Sequence, residues 1–147
     1  MAMQKATIGA LLVLATVGIV MSAFGALTAT RKIGSSGSIS AIGVGIYSDS
    51  GCTIPLTAIS WGTLNPGGSV NYTVYVKNTG NMPVTLNMAT SNWNPPSASG
   101  YMTVTWNEEG YRLPTSSVVQ AVLTLTVSSS IINIASFSVD ISITVSQ

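Results

Sequence analysis

Residues able to do chemistry are few in this chain, and they are scattered. Histidine, the usual general base and the commonest protein metal ligand, is absent. The acids are Asp49, Glu108, Glu109 and Asp140. Glu108 and Glu109 are adjacent, but Asn107-Glu108-Glu109-Gly110 reads as the tip of a hairpin and its paired acids as solvated. Cys52, the single cysteine, has no base to activate it and cannot form an internal disulfide. It is either a small half-buried turn residue or a thiol that bridges subunits. Asp49 and its turn could hold a hard cation weakly, and a plain turn is the simpler reading. The glycines of Ile42-Gly43-Val44-Gly45-Ile46 lie inside a strand pattern and open no helix, so they form no dinucleotide fingerprint. Trp93, Tyr101 and Tyr111 could form a sugar-binding platform, although Trp93 beside Pro95-Pro96 reads more simply as a loop anchor. Asn71-Tyr72-Thr73 is the only N-glycosylation sequon and makes Asn71 a candidate modification site. No catalytic residue, metal or cofactor is expected.

The composition points towards association. Charged residues are 6% of the chain, where an ordinary soluble domain has roughly 25%. Beyond Gly25, Arg31, Lys32, Lys77 and Arg112 balance the four acids, so that part is formally neutral. Near-zero charge promotes self-association, and short Ser, Thr and Asn side chains coat a strand without repelling a neighbour. There is no basic patch, so no nucleic acid partner is expected. The expected partner is a second copy of the chain.

The N-terminus supports three accounts. Residues 6–30 form an uncharged, mostly apolar run directly after Lys5. A signal peptide needs a basic start, an apolar core and small residues before the cut, and Ala23-Phe24-Gly25 places that cut after Gly25. The run is also long enough for a membrane helix, which takes about 20 residues, so residues 1–25 could remain as an anchor. Cleavage just after Lys5 would instead retain the helix as a filament core, as in a type IV pilin. Each account involves the export machinery and the membrane, at least transiently.

The rest is strand-patterned. Gly34-Ser35-Ser36-Gly37-Ser38 reads as a flexible joint, with a domain over residues 39–147. Ile42, Val44 and Ile46 share one face of a first strand, and a short strand ends at Ile59-Ser60-Trp61 after a turn at Asp49. After the turn Asn65-Pro66-Gly67-Gly68, Val70, Tyr72, Val74 and Val76 point inward, and Asn78-Thr79-Gly80-Asn81 reverses the chain into Val84, Leu86 and Met88. Residues 91–100 read as a surface loop before Met102, Val104 and Trp106. Val119 to Val127 and Phe137 to Val145 alternate as long closing strands. About seven strands with this spacing predict an all-β, immunoglobulin-like (jelly-roll-type) β-sandwich.

Residues 26–38 carry one further pattern. In Leu27-Thr28-Ala29-Thr30-Arg31-Lys32-Ile33, the residues Leu27, Ala29, Arg31 and Ile33 fall on one face of a strand with no hairpin partner in its own chain. It is either a tether or a donor strand that completes an exposed sheet edge of the next molecule.

Nearly the whole chain resembles the archaeal members of the TasA and camelysin-like group, which includes archaeal bundling pilins. The resemblance lies in IGVGIYSDSGC and in ISWGTLNPGGSVNYTVYVKNTGNMPVTLNMATSNWNPP, above all in Leu64, Pro66 and Gly67 followed by an aromatic and valine strand into Asn78, Gly80 and Asn81. It implies an exported, cell-surface subunit of extracellular pilus or biofilm fibres, joined by donor-strand complementation and bundled laterally with neighbouring filaments. Residues 27–33 would then be the donor strand. The rival expectations are a type IV pilin, a membrane-held adhesin module and an accessory domain of a secreted enzyme.

Overall fold

The computed structural model describes residues 34–147; the apolar leader and Leu27, Ala29, Arg31 and Ile33 lie outside the described residues. The described residues form an all-β sandwich of two sheets. In chain order its strands are β1 Gly34–Ala41, β2 Gly45–Tyr47, β3 Ala58–Ile59, β4 Ser69–Lys77, β5 Val84–Asn94, β6 Met102–Trp106, β7 Arg112–Leu113, β8 Val118–Val127 and β9 Ser136–Ser146. One sheet runs β3-β1-β9-β5-β7 and the other β2-β4-β8-β6.

Alternation of side chains builds both layers. Along β9, Phe137, Val139, Ile141 and Ile143 are buried while Ser138, Asp140 and Ser142 stand on the outer face. Ala121, Leu123, Leu125 and Val127 do the same from β8, Val74 and Val76 from β4, and Val84 and Leu86 from β5, forming one core between the sheets. Burying a Leu or Val side chain contributes about 1.5–3 kcal/mol, so the long paired strands β4, β5, β8 and β9 carry most of the fold.

Several elements differ from the sequence pattern. Residues 34–38, expected as a flexible joint, belong to β1, which pairs in parallel with β9 from Gly34↔Ser136 to Ala41↔Ile143. Gly37 permits that approach, since a Cβ there would lie 2.9 Å from the Val139 carbonyl oxygen. The domain therefore begins at or before Gly34. Ile42, Val44 and Ile46 do not share one strand face. The chain leaves the first sheet after Ala41 and enters the second at Gly45, turning at Gly43 with φ +83°. Ile42 is consequently 74% exposed, whereas Val44 and Ile46 are buried.

β5 extends through Asn94, with a bulge between Ser91 and Asn94, so only the second half of the expected loop at residues 91–100 leaves the sheet, as a 3₁₀ turn at Pro96–Gly100. Residues 107–110 do not close a hairpin, because β6 and β7 lie in different sheets. Asn78 fits its assigned turn: its buried amide donates to the Met82 and Leu113 carbonyls at 2.7 and 3.2 Å and accepts from the Gly80 N–H at 2.9 Å. That turn carries the chain from β4 into β5 of the opposite sheet.

Candidate assembly interface

Edges decide what a sandwich can do to a neighbour, since each edge strand presents main-chain donors and acceptors. On one side the edges are β3 and β2. β3 is two residues long, and β2 is covered by residues 54–56. There the Leu56 N–H donates to the Ile46 carbonyl at 2.9 Å and the Ser48 N–H to the Ile54 carbonyl at 3.0 Å.

The opposite side is open. β6 is the edge of its sheet, and no strand pairs with its outer side among the described residues. Its facing follows from the ladder to β8, where the Ser128 N–H donates to the Tyr101 carbonyl at 2.7 Å. Alternation then turns the main chain of Thr103 and Thr105 towards β8, and that of Met102, Val104 and Trp106 outward. β5 runs beside it in the other sheet, but β7 covers only Val84 and Thr85. Residues 110–111 extend that cover by one step, through Leu86 N–H to the Tyr111 carbonyl and Gly110 N–H to the Leu86 carbonyl, both 2.8 Å. The next outward positions on β5 are Met88 and Thr90, and no strand lies against them among the described residues.

Glu109 sits at the mouth of this opening. Its Oε2 accepts the Met88 N–H at 3.0 Å and the Trp106 indole N–H at 2.6 Å, so one carboxylate oxygen ties β5 to β6. A cavity of about 250 Å³ lies behind it, lined by Met88, Val104, Thr105, Trp106 and Glu109. Met88, Val104 and Trp106 are half-buried against the core. Glu109 is exposed, as a solvated tip residue should be, and its carboxylate is in addition hydrogen-bonded to both strands. What hid those bonds was the crossover: with β6 and β7 in different sheets, the tip folds back over β5.

Other candidate groups are held in structural roles. The Asp49 carboxylate accepts from the Thr53 hydroxyl at 2.6 Å and from the Thr53 and Ile54 N–H groups at 2.9 and 2.8 Å. The Thr53 hydroxyl first, then the Ile54 N–H, hold its carboxyl below the usual range, and its oxygens serve its own turn. Burial pushes the Cys52 thiol up, away from the nucleophilic thiolate. No group of three or more His, Cys, Asp or Glu residues is placed to hold a metal among the described residues. Asn71 is exposed on β4, its amide oxygen accepting from the Thr124 hydroxyl at 2.9 Å.

The three aromatics do not gather. Trp93 stacks on Phe137 with ring centroids 6.0 Å apart, and Tyr101 packs half-buried on the core. Tyr111 is 42% exposed beside Leu86, which places it roughly 23 Å along β5 from Trp93 at the usual strand rise. A second opening of about 410 Å³ lies where the chain enters β1, between Gly34, Ser36, Asn94, Pro95, Phe137 and Ser138, and has no charged lining residue. No family model matches this chain, and no curated protein matches it.

Proposed function

We propose that this protein is a structural subunit of an extracellular filament, in which residues 27–33 of one copy add as a strand to the open side of the next. The observation that carries this reading is the uncovered outer edge of β6, facing the uncovered part of β5 across an apolar cleft lined by Met88, Val104 and Trp106. Natural edges are blunted by charge, proline, bulges or short length. Met102-Thr103-Val104-Thr105-Trp106 carries neither charge nor proline.

The occupant fits in size and pattern. Seven extended residues reach about 23 Å and the five of β6 about 17 Å, so Leu27, Ala29 and Ile33 can reach into the cleft while the main chain pairs along the edge. Finding β1 at Gly34 adds a constraint, because the donor segment then runs into a strand of its own sandwich with no spacer. The sandwich is read more finely as immunoglobulin-like, of jelly-roll type, a reading supported by the parallel pairing of the first described strand with the last. Uncharged, hydroxyl-bearing outer faces, such as Thr103 and Thr105 of β6 beside Thr126 and Thr124 of β8, suit lateral bundling of neighbouring filaments without charge repulsion.

The test is to delete residues 27–33 and express the variant in parallel with the parent chain. The expected product is a folded subunit, by circular dichroism, that forms no filaments under the electron microscope. Filaments of normal number and length would overturn the reading. Mass spectrometry of subunits taken from parent filaments adds the mature N-terminus. A start near residue 26 fits the donor strand, whereas a start near residue 6 favours a joint through helices.

A further inference from the structure

The proposed donor face contains one residue out of keeping with a cleft. Leu27, Ala29 and Ile33 are apolar, but Arg31 shares their side of the strand. A guanidinium carried towards the interior of a joint needs an anion, because an unpaired charge away from water is costly. The cleft has one charged lining residue, and it is an acid: Glu109.

We infer that Arg31 of the entering strand pairs with Glu109 of the receiving subunit, and that this pair fixes the register of the donor strand. The inference rests on the donor-strand reading above. In the free subunit Glu109 occupies the place an added strand would use on β5. Its Oε2 takes the Met88 N–H, the next outward donor after Leu86, and steadies the Trp106 indole at the same time. A strand paired with the edge of β6 turns every other carbonyl away from it, towards β5; one of these can take over the Met88 N–H, and the released carboxylate then meets the guanidinium that arrived with the strand. Both charges find a partner in one exchange. A strand shifted by two residues keeps its apolar face inward but moves the guanidinium about 7 Å from the carboxylate. The apolar pattern alone tolerates such slips, and a charged pair at one position does not; setting register is the best-attested use of a polar group in an otherwise apolar contact.

A charge exchange tests this. Glu109→Arg and Arg31→Glu are each expected to lower the yield of sedimentable filaments by about tenfold or more, and the double exchange to restore it to within about threefold of the parent. Glu109→Gln keeps an acceptor for the Met88 N–H without the charge and is expected to fall between parent and Glu109→Arg. Thermal melts of the released subunits establish that each variant folds. A double exchange no better than the worse single variant, with all subunits folded, overturns the pairing. Ala29→Asp separates the two readings. If it blocks assembly while the charge exchange shows no coupling, the donor strand stands and the register pair falls. If Ala29→Asp assembles normally, the donor strand itself falls.

Discussion

The two long sides of the sandwich solve the same problem in opposite ways. On the β2 and β3 side the edges are three and two residues long, and residues 54–56 hydrogen-bond along β2. On the β5 and β6 side an edge of five residues is uncovered, and most of an eleven-residue strand runs beside it with β7 on its first two residues only. The stretch over β2 carries Pro55 opposite Tyr47, so the closed side ends in a short covering segment with a proline, whereas no segment of the described residues pairs with the outer side of β6. An edge left open beside an apolar cleft is the side on which a neighbour gains main-chain hydrogen bonds and buried area together.

The sharpest way to break that contrast is to place proline at matched positions on the two sides. The N–H of Val104 turns outward from β6, so proline there leaves the ladder to β8 intact but removes a donor and inserts a ring where the added strand would lie. Val104→Pro is expected to cost roughly 1–3 kcal/mol per joint, about fivefold to a hundredfold in the equilibrium constant of joining. On the closed side Ala58 of β3 also turns outward, because the Ile39 N–H bonds the Thr57 carbonyl and the ladder alternates from there. Ala58→Pro is expected to assemble like the parent. Filament yield measured by sedimentation and microscopy compares them, and equal losses from both variants would remove the distinction between the sides.

Much of the sandwich was legible in the sequence because β4, β8 and β9 are long strands with one buried face, and period-two alternation reports that directly. The edge elements were not. β7 is two residues long, too short for any period. β1 has Gly34, Ser35, Ser36 and Gly37 in place of apolar residues, and it is held by main-chain pairing to β9 that composition does not reveal. Of the proposed interface, only the pattern of Leu27, Ala29 and Ile33 is a matter of sequence; which edge is open to such a segment depends on which strands are neighbours in space. The hydrogen bonds of Glu109 to both strands escaped for the same reason: a tip at the end of a hairpin bonds only to solvent, whereas one that crosses between sheets can return to the edge.

A smaller effect concerns the subunit and not the joint. The Asn92 amide, at 2.8 Å, and then the Ser38 hydroxyl, at 2.7 Å, hold the Asp140 carboxyl below the ordinary 3.8. Asp49 is lowered in the same sense, by the Thr53 hydroxyl foremost. A carboxyl lowered by folding contributes stability that is present above its unfolded value and is lost as the pH falls through its folded one. Subunit melting temperature is therefore expected to be level from about pH 5 to 8 and to fall only below about 4. Asn92→Ala should lower the melting temperature slightly at pH 7, and the difference from the parent should shrink in acid as Asp140 protonates. A difference that grows in acid would have the wrong sign for this account.

The smallest expected effect is that of salt on finished filaments. Arg31 and Glu109 would steer the approach of the strand and select its register, so screening should slow joining: at 0.15 M salt the Debye length is already about 8 Å. Once joined, a strand added to the edge of β6 would be held by main-chain hydrogen bonds and apolar side chains, on which screening has little to act. Guanidinium weakens both, because it solvates peptide and apolar surface alike. Filaments incubated in concentrated sodium chloride should therefore keep their length under the microscope, while guanidinium chloride shortens them. Regrowth of subunits diluted from guanidinium should be slower as salt is raised, with the same final yield. Disassembly in sodium chloride alone would assign the strength of the joint to its few charges, with Arg31 and Lys32 foremost, and would leave the open edge of β6 as a consequence of the fold with no part in holding subunits together.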